Sequence, residues 1–235
     1  MLFSKTQDQA PFRKLPAKTF TYRNSMTENI SQFILWAPPL LFALTFHEFA
    51  HGFIAHKLGD PTPAAAGRLT LNPLKHLDPL GTLAFFLVKF GWAKPVPVNP
   101  AYFQDPRRGM VWVALAGPAT NFLLAIFSAL LTRLLWALAS VLPYSPTLEA
   151  VLVPLSAMLV ASVWINMVLC VLNLLPIPPL DGGRIITGLL PESASKIFGG
   201  LERYGMILVI LLMFSGLLSR IIGPIINTAN SLLLR

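Results

Sequence analysis

The chain has 235 residues, of which 54% are hydrophobic and 12% are charged, with a mean hydropathy of +0.64. A soluble domain has roughly twice that share of charged residues. The composition therefore excludes an ordinary soluble domain and indicates a polytopic membrane protein. The formal charge of +8 does not indicate a nucleic-acid partner, because the Lys and Arg residues flank apolar segments, where anionic lipid headgroups of a bilayer account for them.

The N-terminal residues 1–28 are polar, basic and proline-containing. Such a composition predicts a disordered arm, followed by a membrane domain over residues 29–235. The first membrane segment is predicted from about Asn29 to Leu58 and ends before Gly59-Asp60-Pro61, a strong stop signal for a helix. Two adjacent prolines, Pro38 and Pro39, are expected to kink it.

The connecting region 59–108 is mixed in character. Its apolar run from Leu80 to Trp92 is too short to span a bilayer, and many prolines interrupt the region. We expect short strands or a re-entrant element that lies against the membrane.

Three further apolar segments follow, at 109–142, 148–175 and 204–226, the last weakened near its end by Gly216 and Pro224. The sequence therefore predicts an all-α polytopic membrane protein with about four main transmembrane helices and a short membrane-associated β or re-entrant region.

The distribution of basic residues predicts an orientation. Regions 59–108 and 176–203 are rich in Lys and Arg, whereas the link 143–148 has none. By the positive-inside rule the first two are cytoplasmic and both chain ends lie outside the cell membrane. The basic N-terminal arm disagrees with this topology. Translation that starts at Met26 would remove the conflict, and this is one hypothesis for the arm.

His47-Glu48-Phe49-Ala50-His51 is the most informative stretch, because it lies within the first membrane segment. Residues four apart share one face of a helix, so His47 and His51 can bind one metal ion, and Glu48 can take a proton from water at that ion. Ionisable groups in a span are costly and usually functional. The alternative is a pair of structural histidines at a helix contact, with Glu48 as their partner.

A catalytic zinc ion needs a third protein ligand and an open position. Among the acidic residues, Asp181 directly follows a membrane segment, in a turn with Pro178 and Pro179 before it and two glycines after it. The prolines restrict the backbone and the glycines permit close approach. A turn or helix-capping role for Asp181 fits the same pattern, so the residues alone leave the third ligand open.

The chain resembles the site-2 protease family of intramembrane zinc metalloproteases. The motifs that carry this resemblance are HEFAH at 47–51, GPATN at 117–121 and NLLPIPPLDGG at 173–183, with GRLTLNPLKHLDPLG at 67–81 and GWAKPVPVNP at 91–100. The resemblance spans about residues 30–204. The 143–148 link is too short for a PDZ domain, so the chain is similar to the short members that lack one.

The resemblance implies that one catalytic Zn²⁺ is bound by His47, His51 and Asp181 and that Glu48 is the general base. It also implies that Asn121 and Asn173 line the site and steady the substrate backbone or the oxyanion. The expected activity is endopeptidase cleavage of transmembrane or membrane-proximal segments of membrane-protein substrates, with the site toward the cytoplasm. The alternatives are a non-proteolytic zinc-binding carrier or scaffold and, with less support, a cation transporter that uses Glu48 as a relay.

Overall fold

A computed structural model describes residues 26–88 and 91–234, so the predicted arm over residues 1–25 lies outside the described residues. The described part is nearly all helical. Its α-helices are α1 Met26–Lys57, α2 Thr62–Ala65, α3 Pro79–Val88, α4 Pro106–Val141, α5 Pro146–Asn173, α6 Asp181–Leu189, α7 Glu192–Gly200, α8 Glu202–Phe214 and α9 Leu217–Leu233. Because α1 begins at Met26, residues 26–28 are helical rather than part of an arm.

Three of the described helices are long and apolar enough to cross a bilayer, over Gln32–Lys57, Pro106–Val141 and Pro146–Asn173. Large apolar side chains of α4 are exposed on the outside of the bundle, including Phe122, Phe127 and Leu134. An apolar outer face is the arrangement that lipid requires. These helices confirm the prediction of a multi-pass helical membrane protein.

The last apolar segment is not the single helix that we expect over 204–226. It ends as α8 at Phe214 and resumes as α9 at Leu217, because Gly216 adopts a left-handed conformation with φ of 71°. Glycine takes this conformation without steric cost and commonly ends helices. A fourth span is present only if α7 and α8, which bend by 59° at Leu201, are counted together.

The described residues between α1 and α4 contain no strand, so the expected short strands are not found there. Residues 91–99 form neither a helix nor a strand, and one isolated antiparallel bridge joins Leu77 to Ala93. Pro95 and Pro97 have no backbone N–H, which prevents a regular ladder along this segment. The apolar run forms α3, a helix of 10 residues, which is too short to span a bilayer.

Small residues allow the spans to pack closely. Buried positions of α4 include Gly117, Ala125 and Ala129, and Ala161 is buried on α5. Without a hydrophobic driving force between helices in lipid, such residues let backbones approach and gain van der Waals contact. Helices α1, α4 and α5 thereby form the frame that holds the polar residues described below.

Candidate metal centre

Helix α1 presents His47 and His51 on one buried face. The two side chains are four residues apart, so they lie one above the other on the helix. Their ring planes are at 85°, and their Nε2 atoms are 3.0 Å apart. At 1.5 Å rise per residue, His47 lies about 15 Å from the end of α1 at Lys57, well inside the helical bundle.

The third predicted ligand reaches the same point from the far end of α5. The chain leaves α5 at Asn173, turns through residues 174–180 and starts α6 at Asp181. Oδ2 of Asp181 lies 3.2 Å from Nε2 of His47 and 3.3 Å from Nε2 of His51. The N-cap residue of α6 is Leu180, and no side chain caps this helix. The carboxylate therefore faces the histidines, and the capping interpretation does not describe it.

Glycine after Asp181 is a steric requirement of this turn. A Cβ atom on Gly182 would lie 2.2 Å from the carbonyl oxygen of Leu175, and one on Gly183 would lie 2.6 Å from the nitrogen of Pro178. Both distances are shorter than real Cβ contacts. The two glycines allow α6 to start against the turn, and this contact sets the position of the Asp181 carboxylate.

The outer nitrogens of both histidines are held by hydrogen bonds. Nδ1 of His51 donates to the carbonyl oxygen of Val113 over 2.7 Å, and Nδ1 of His47 donates to Oδ1 of Asn121 over 2.6 Å. In the neutral rings these bonds fix the proton on Nδ1, which leaves the lone pair of Nε2 directed at the cluster. Histidines that bind metals are commonly oriented in this way.

Three electron-rich atoms therefore converge on one point. Among the described residues, Oδ2 of Asp181 is buried without a hydrogen-bond partner, and the ligand atoms of His47, His51 and Asp181 lie within 4.8 Å of one another. Lone pairs this close repel unless a proton or cation lies between them. Two imidazole nitrogens and one carboxylate oxygen match the protein ligands of a catalytic zinc site, whose fourth position is kept for water.

Gly117 of α4 lies directly against this cluster. A Cβ atom on Gly117 would lie 2.5 Å from Cε1 of His47 and 2.5 Å from Nε2 of His51. Any side chain there would occupy the space next to both imidazoles. The glycine of the GPATN stretch therefore keeps room for the histidines and for an ion.

Glu48 is half-buried and lies beside the cluster rather than within it. Its Oε2 accepts a hydrogen bond of 3.1 Å from the backbone N–H of Val96, in the segment between α3 and α4. The carboxylate is thus held near the two histidines by a residue that is distant in sequence.

The two predicted asparagines have different surroundings. Asn121 is fully buried and is the hydrogen-bond partner of His47, so it contacts the cluster directly. Nδ2 of Asn173 donates to the carbonyl oxygen of Leu169, one turn earlier in α5, over 3.0 Å. Within the described part of the chain no hydrogen bond or ion pair joins Asn173 to the cluster, and its role at the substrate stays a prediction.

A chain of buried polar side chains extends beyond Asn121, and the motifs do not include it. Nδ2 of Asn121 donates to Oδ1 of Asn166 over 2.8 Å, and Nδ2 of Asn166 donates to the carbonyl oxygen of Ser162 over 2.9 Å. The hydroxyls of Ser162 and Ser128 are 2.9 Å apart. The available signal was the presence of polar residues inside apolar spans, but spacing alone did not show that they join.

Comparison with known proteins addresses the family directly. The family model described as "Peptidase family M50" matches residues 36–216, which is more than half of the chain. The chain belongs to peptidase family M50. This match confirms the resemblance to site-2 proteases that the three motifs indicate, and it makes the chain a peptidase.

Curated relatives agree with this assignment. The chain is 40% identical over 200 residues to a Bacillus subtilis protein named "Putative zinc metalloprotease YwhC", which covers 83% of this chain and 87% of the relative. It is 32% identical over 197 residues to "Putative zinc metalloprotease Rip2" of Mycolicibacterium smegmatis, covering 81% and 71%. No solved structure matches the chain significantly.

Proposed function

We propose that this M50 peptidase is a zinc-dependent intramembrane endopeptidase whose metal ligands are His47, His51 and Asp181. The observation that carries the proposal is the convergence of two Nε2 atoms and one carboxylate oxygen around a single buried point. The names of the relatives, which give zinc metalloprotease, support zinc as the ion. Zinc bound there acts as a Lewis acid and lowers the pKa of water to about 7.

Glu48 is the general base of the proposed reaction. It takes a proton from the attacking water and then delivers that proton to the leaving amine, as a carboxylate next to two zinc-binding histidines can do. Its place beside the ligands on α1 and its hydrogen bond to Val96 N–H support this role. A carrier or scaffold has no need of this carboxylate, and membership in a peptidase family disfavours both alternatives.

The asparagines have separate proposed roles. Asn121 orients the imidazole of His47 through its side-chain oxygen, and such outer contacts tune metal affinity. Asn173, in the motif before Asp181, is proposed to contact the substrate backbone or the oxyanion, because an amide donor near a scissile carbonyl stabilises developing negative charge.

The site is proposed to open toward the cytoplasmic face of a cell membrane. Arg107, in the first turn of α4, donates to the carbonyl oxygen of Gly188 over 3.4 Å and also to that of Leu190. The end of α6 therefore lies beside the start of α4, on the same side as the basic region 59–108. Basic loops remain cytoplasmic by the positive-inside rule, which supports entry of water from that side.

The proposed substrate is a transmembrane or membrane-proximal segment of another membrane protein. A buried site among three spans favours a substrate that arrives through lipid, and such a helix must unwind before its peptide bond is accessible.

In the proposed topology α7 and α8 together form a fourth span. Helix α3 is the re-entrant element, since it is apolar and too short to cross the bilayer.

The test uses purified full-length protein in liposomes. The probe is a single-span peptide with a fluorescent donor and a quencher on either side of its apolar segment. We expect cleavage that a zinc chelator abolishes, that added Zn²⁺ restores, and that Glu48→Gln removes. Mass spectrometry of the products locates the cut. Zinc binding without cleavage of this peptide or of labelled casein, an unfolded polypeptide, would contradict a peptidase.

A further inference from the structure

We propose that Arg68 is a positioning residue for Glu48 and acts through the segment Ala93–Asn99, here called the strap. The inference rests on the proposed function, because it assigns Glu48 as the general base. The hydrogen bonds of Arg68 among the described residues go to the strap and to His76 and not to the proposed metal ligands. It holds the strap so that the N–H of Val96 points at the Glu48 carboxylate.

Arg68 is unusual because its charge is buried without a carboxylate partner. Its side chain is 6% exposed, and the ion pairs among the described residues do not include it. A buried charge is costly unless several acceptors satisfy it. Here the acceptors are two consecutive carbonyl oxygens of the strap: Nη1 donates to Pro95 over 3.2 Å, and Nη2 donates to Lys94. The planar guanidinium suits this paired contact, which lysine cannot reproduce.

His76 contacts both Arg68 and the strap, and together Arg68 and His76 form what is here called the clamp. His76 is 1% exposed, and its Nε2 donates to the carbonyl oxygen of Thr70 over 2.8 Å. Its Nδ1 then faces Nη2 of Arg68 at 3.5 Å. The backbone of His76 accepts a 2.8 Å hydrogen bond from the N–H of Lys94. The N–H and the carbonyl oxygen of Lys94 and the carbonyl oxygen of Pro95 are therefore all hydrogen-bonded to Arg68 or His76.

The strap connects this clamp to Glu48. Pro95 and Pro97 have no N–H and restrict their own backbones, so Val96 carries the donor between them. That donor reaches Oε2 of Glu48 over 3.1 Å. At the far end, the N–H of Asn99 donates to Oδ2 of Asp60 over 2.7 Å. With both ends fixed, the strap has little freedom to withdraw the Val96 donor.

The expected consequence is specific to catalysis. A half-buried glutamate has several side-chain rotamers, and a misplacement of about 1 Å can cost about a hundredfold in rate. Loss of the Arg68 clamp lets the strap shift and frees the Glu48 carboxylate. The metal ligands are held by separate contacts on α4 and α6, so zinc content should not change. We therefore expect kcat to fall about 10- to 100-fold with KM unchanged.

The experiment compares wild type, Arg68→Gln, Arg68→Lys and Arg108→Gln. Arg108 is a matched control because its side chain is 86% exposed and pairs only with Asp105 among the described ion pairs. Hydrogen exchange of the peptide that contains the strap is measured first, on protein without metal, followed by zinc content and then kcat and KM on labelled casein. We expect faster exchange and lower kcat in Arg68→Gln, a partial effect in Arg68→Lys and none in Arg108→Gln.

A second pair of variants tests the hydrogen bond from the N–H of Val96 to Glu48. Val96→Pro removes the N–H donor, whereas Val96→Ala keeps it and removes only side-chain atoms. We expect Val96→Pro to lower kcat at least tenfold more than Val96→Ala, with equal zinc content. If Arg68→Gln does not accumulate, Arg68→Lys and this pair provide the comparison.

Two results would overturn the inference. The first is wild-type strap exchange and wild-type kcat in the Arg68 variants. The second is equal kcat in the two Val96 variants. A wild type that binds zinc but cleaves nothing would instead contradict the proposed function, so the two failures are distinguishable.

Discussion

Nδ1 of His47 lies 2.6 Å from Oδ1 of Asn121, and the amide of Asn121 donates in turn to Asn166 over 2.8 Å. The two asparagines are both 0% exposed, and they lie on different spans. The amide nitrogen of Asn121 donates to Asn166 and also, over 3.3 Å, to the carbonyl oxygen of Ala43, so its oxygen is left to accept from the histidine. The orientation of a proposed metal ligand on α1 therefore depends on a residue of α5.

Substitution of Asn166 by leucine should weaken zinc binding although Asn166 does not contact the cluster. Without the oxygen of Asn166, the amide nitrogen of Asn121 keeps only its longer contact to Ala43. The amide can then flip, which would present N–H₂ to the imidazole of His47. Loss of a hydrogen bond that orients a metal-binding side chain costs about 10- to 100-fold in metal affinity. Competition with a fluorescent chelator measures the affinity. Asn227→Leu, at an exposed position of α9, is the control. Equal affinities in both variants would contradict the orienting role.

Substitution of Gly117 by alanine should abolish zinc binding without unfolding the protein. The new methyl group would lie 2.5 Å from atoms of both imidazoles, and hydrogen bonds to Asn121 and Val113 restrict the rings from moving away. Helix propensity itself favours alanine. We expect a zinc-free, helical protein by elemental analysis and circular dichroism. Gly223→Ala, where a Cβ meets no atom within 4 Å, should keep its zinc. Full zinc in Gly117→Ala would show that the cluster tolerates a side chain.

Substitution of Glu48 by glutamine separates a peptidase from a zinc carrier. Glutamine keeps an oxygen that can accept from Val96 N–H but cannot act as a base at neutral pH. A general base contributes about 10²- to 10⁴-fold to rate, so cleavage of the single-span peptide should fall by that factor while zinc content stays the same. Undiminished cleavage would show that Glu48 is not the general base.

Asp60 should make stability depend on acid pH. Its carboxylate is 0% exposed and accepts from the N–H groups of Thr62 and Asn99. Burial raises the pKa of this carboxyl, but the hydrogen bonds outweigh that effect and hold the pKa below its usual range. Because the unfolded value is about 3.9, ionised Asp60 stabilises the fold above that pH. The stabilisation is lost as the pH falls through the lower folded value.

The measurement is thermal unfolding of metal-free wild type and Asp60→Asn in detergent between pH 7 and pH 3. Metal-free protein is used because acid would release the ion and change stability by itself. We expect the variant to be less stable by about 1–3 kcal/mol at neutral pH, with a gap that narrows toward pH 3. A gap that does not change with pH would exclude ionised Asp60 as its source.

Much of the site could be predicted from the sequence because its information is local. The spacing of His47 and His51 places them on one helical face in any α-helix, and the Pro/Gly turn restricts how Asp181 is presented. That Asp181 meets the two histidines was implied by the resemblance to site-2 proteases and not by spacing. In the structure Asp181 lies 3.2 Å from His47, as the ligand set requires.

The parts that could not be predicted depend on tertiary contacts. The hydrogen bond between Val96 and Glu48 joins two segments 48 residues apart, and no periodicity encodes it. For the region 59–108 the sequence predicts short strands or a re-entrant element, because prolines break helices, yet the same prolines remove the donors that a ladder needs. The break at Gly216 was foreseen only as a weakness, since glycine in an apolar run does not show whether φ becomes positive.

Zinc content of purified protein tests the central claim most directly. We predict about one zinc per chain in wild type and almost none in Asp181→Ala, because two imidazoles alone leave the coordination incomplete. Glu149→Ala, an acidic residue in the first turn of α5 that is hydrogen-bonded to Tyr144, is the control and should keep its zinc. Stoichiometric zinc that survives Asp181→Ala would contradict the ligand set of His47, His51 and Asp181.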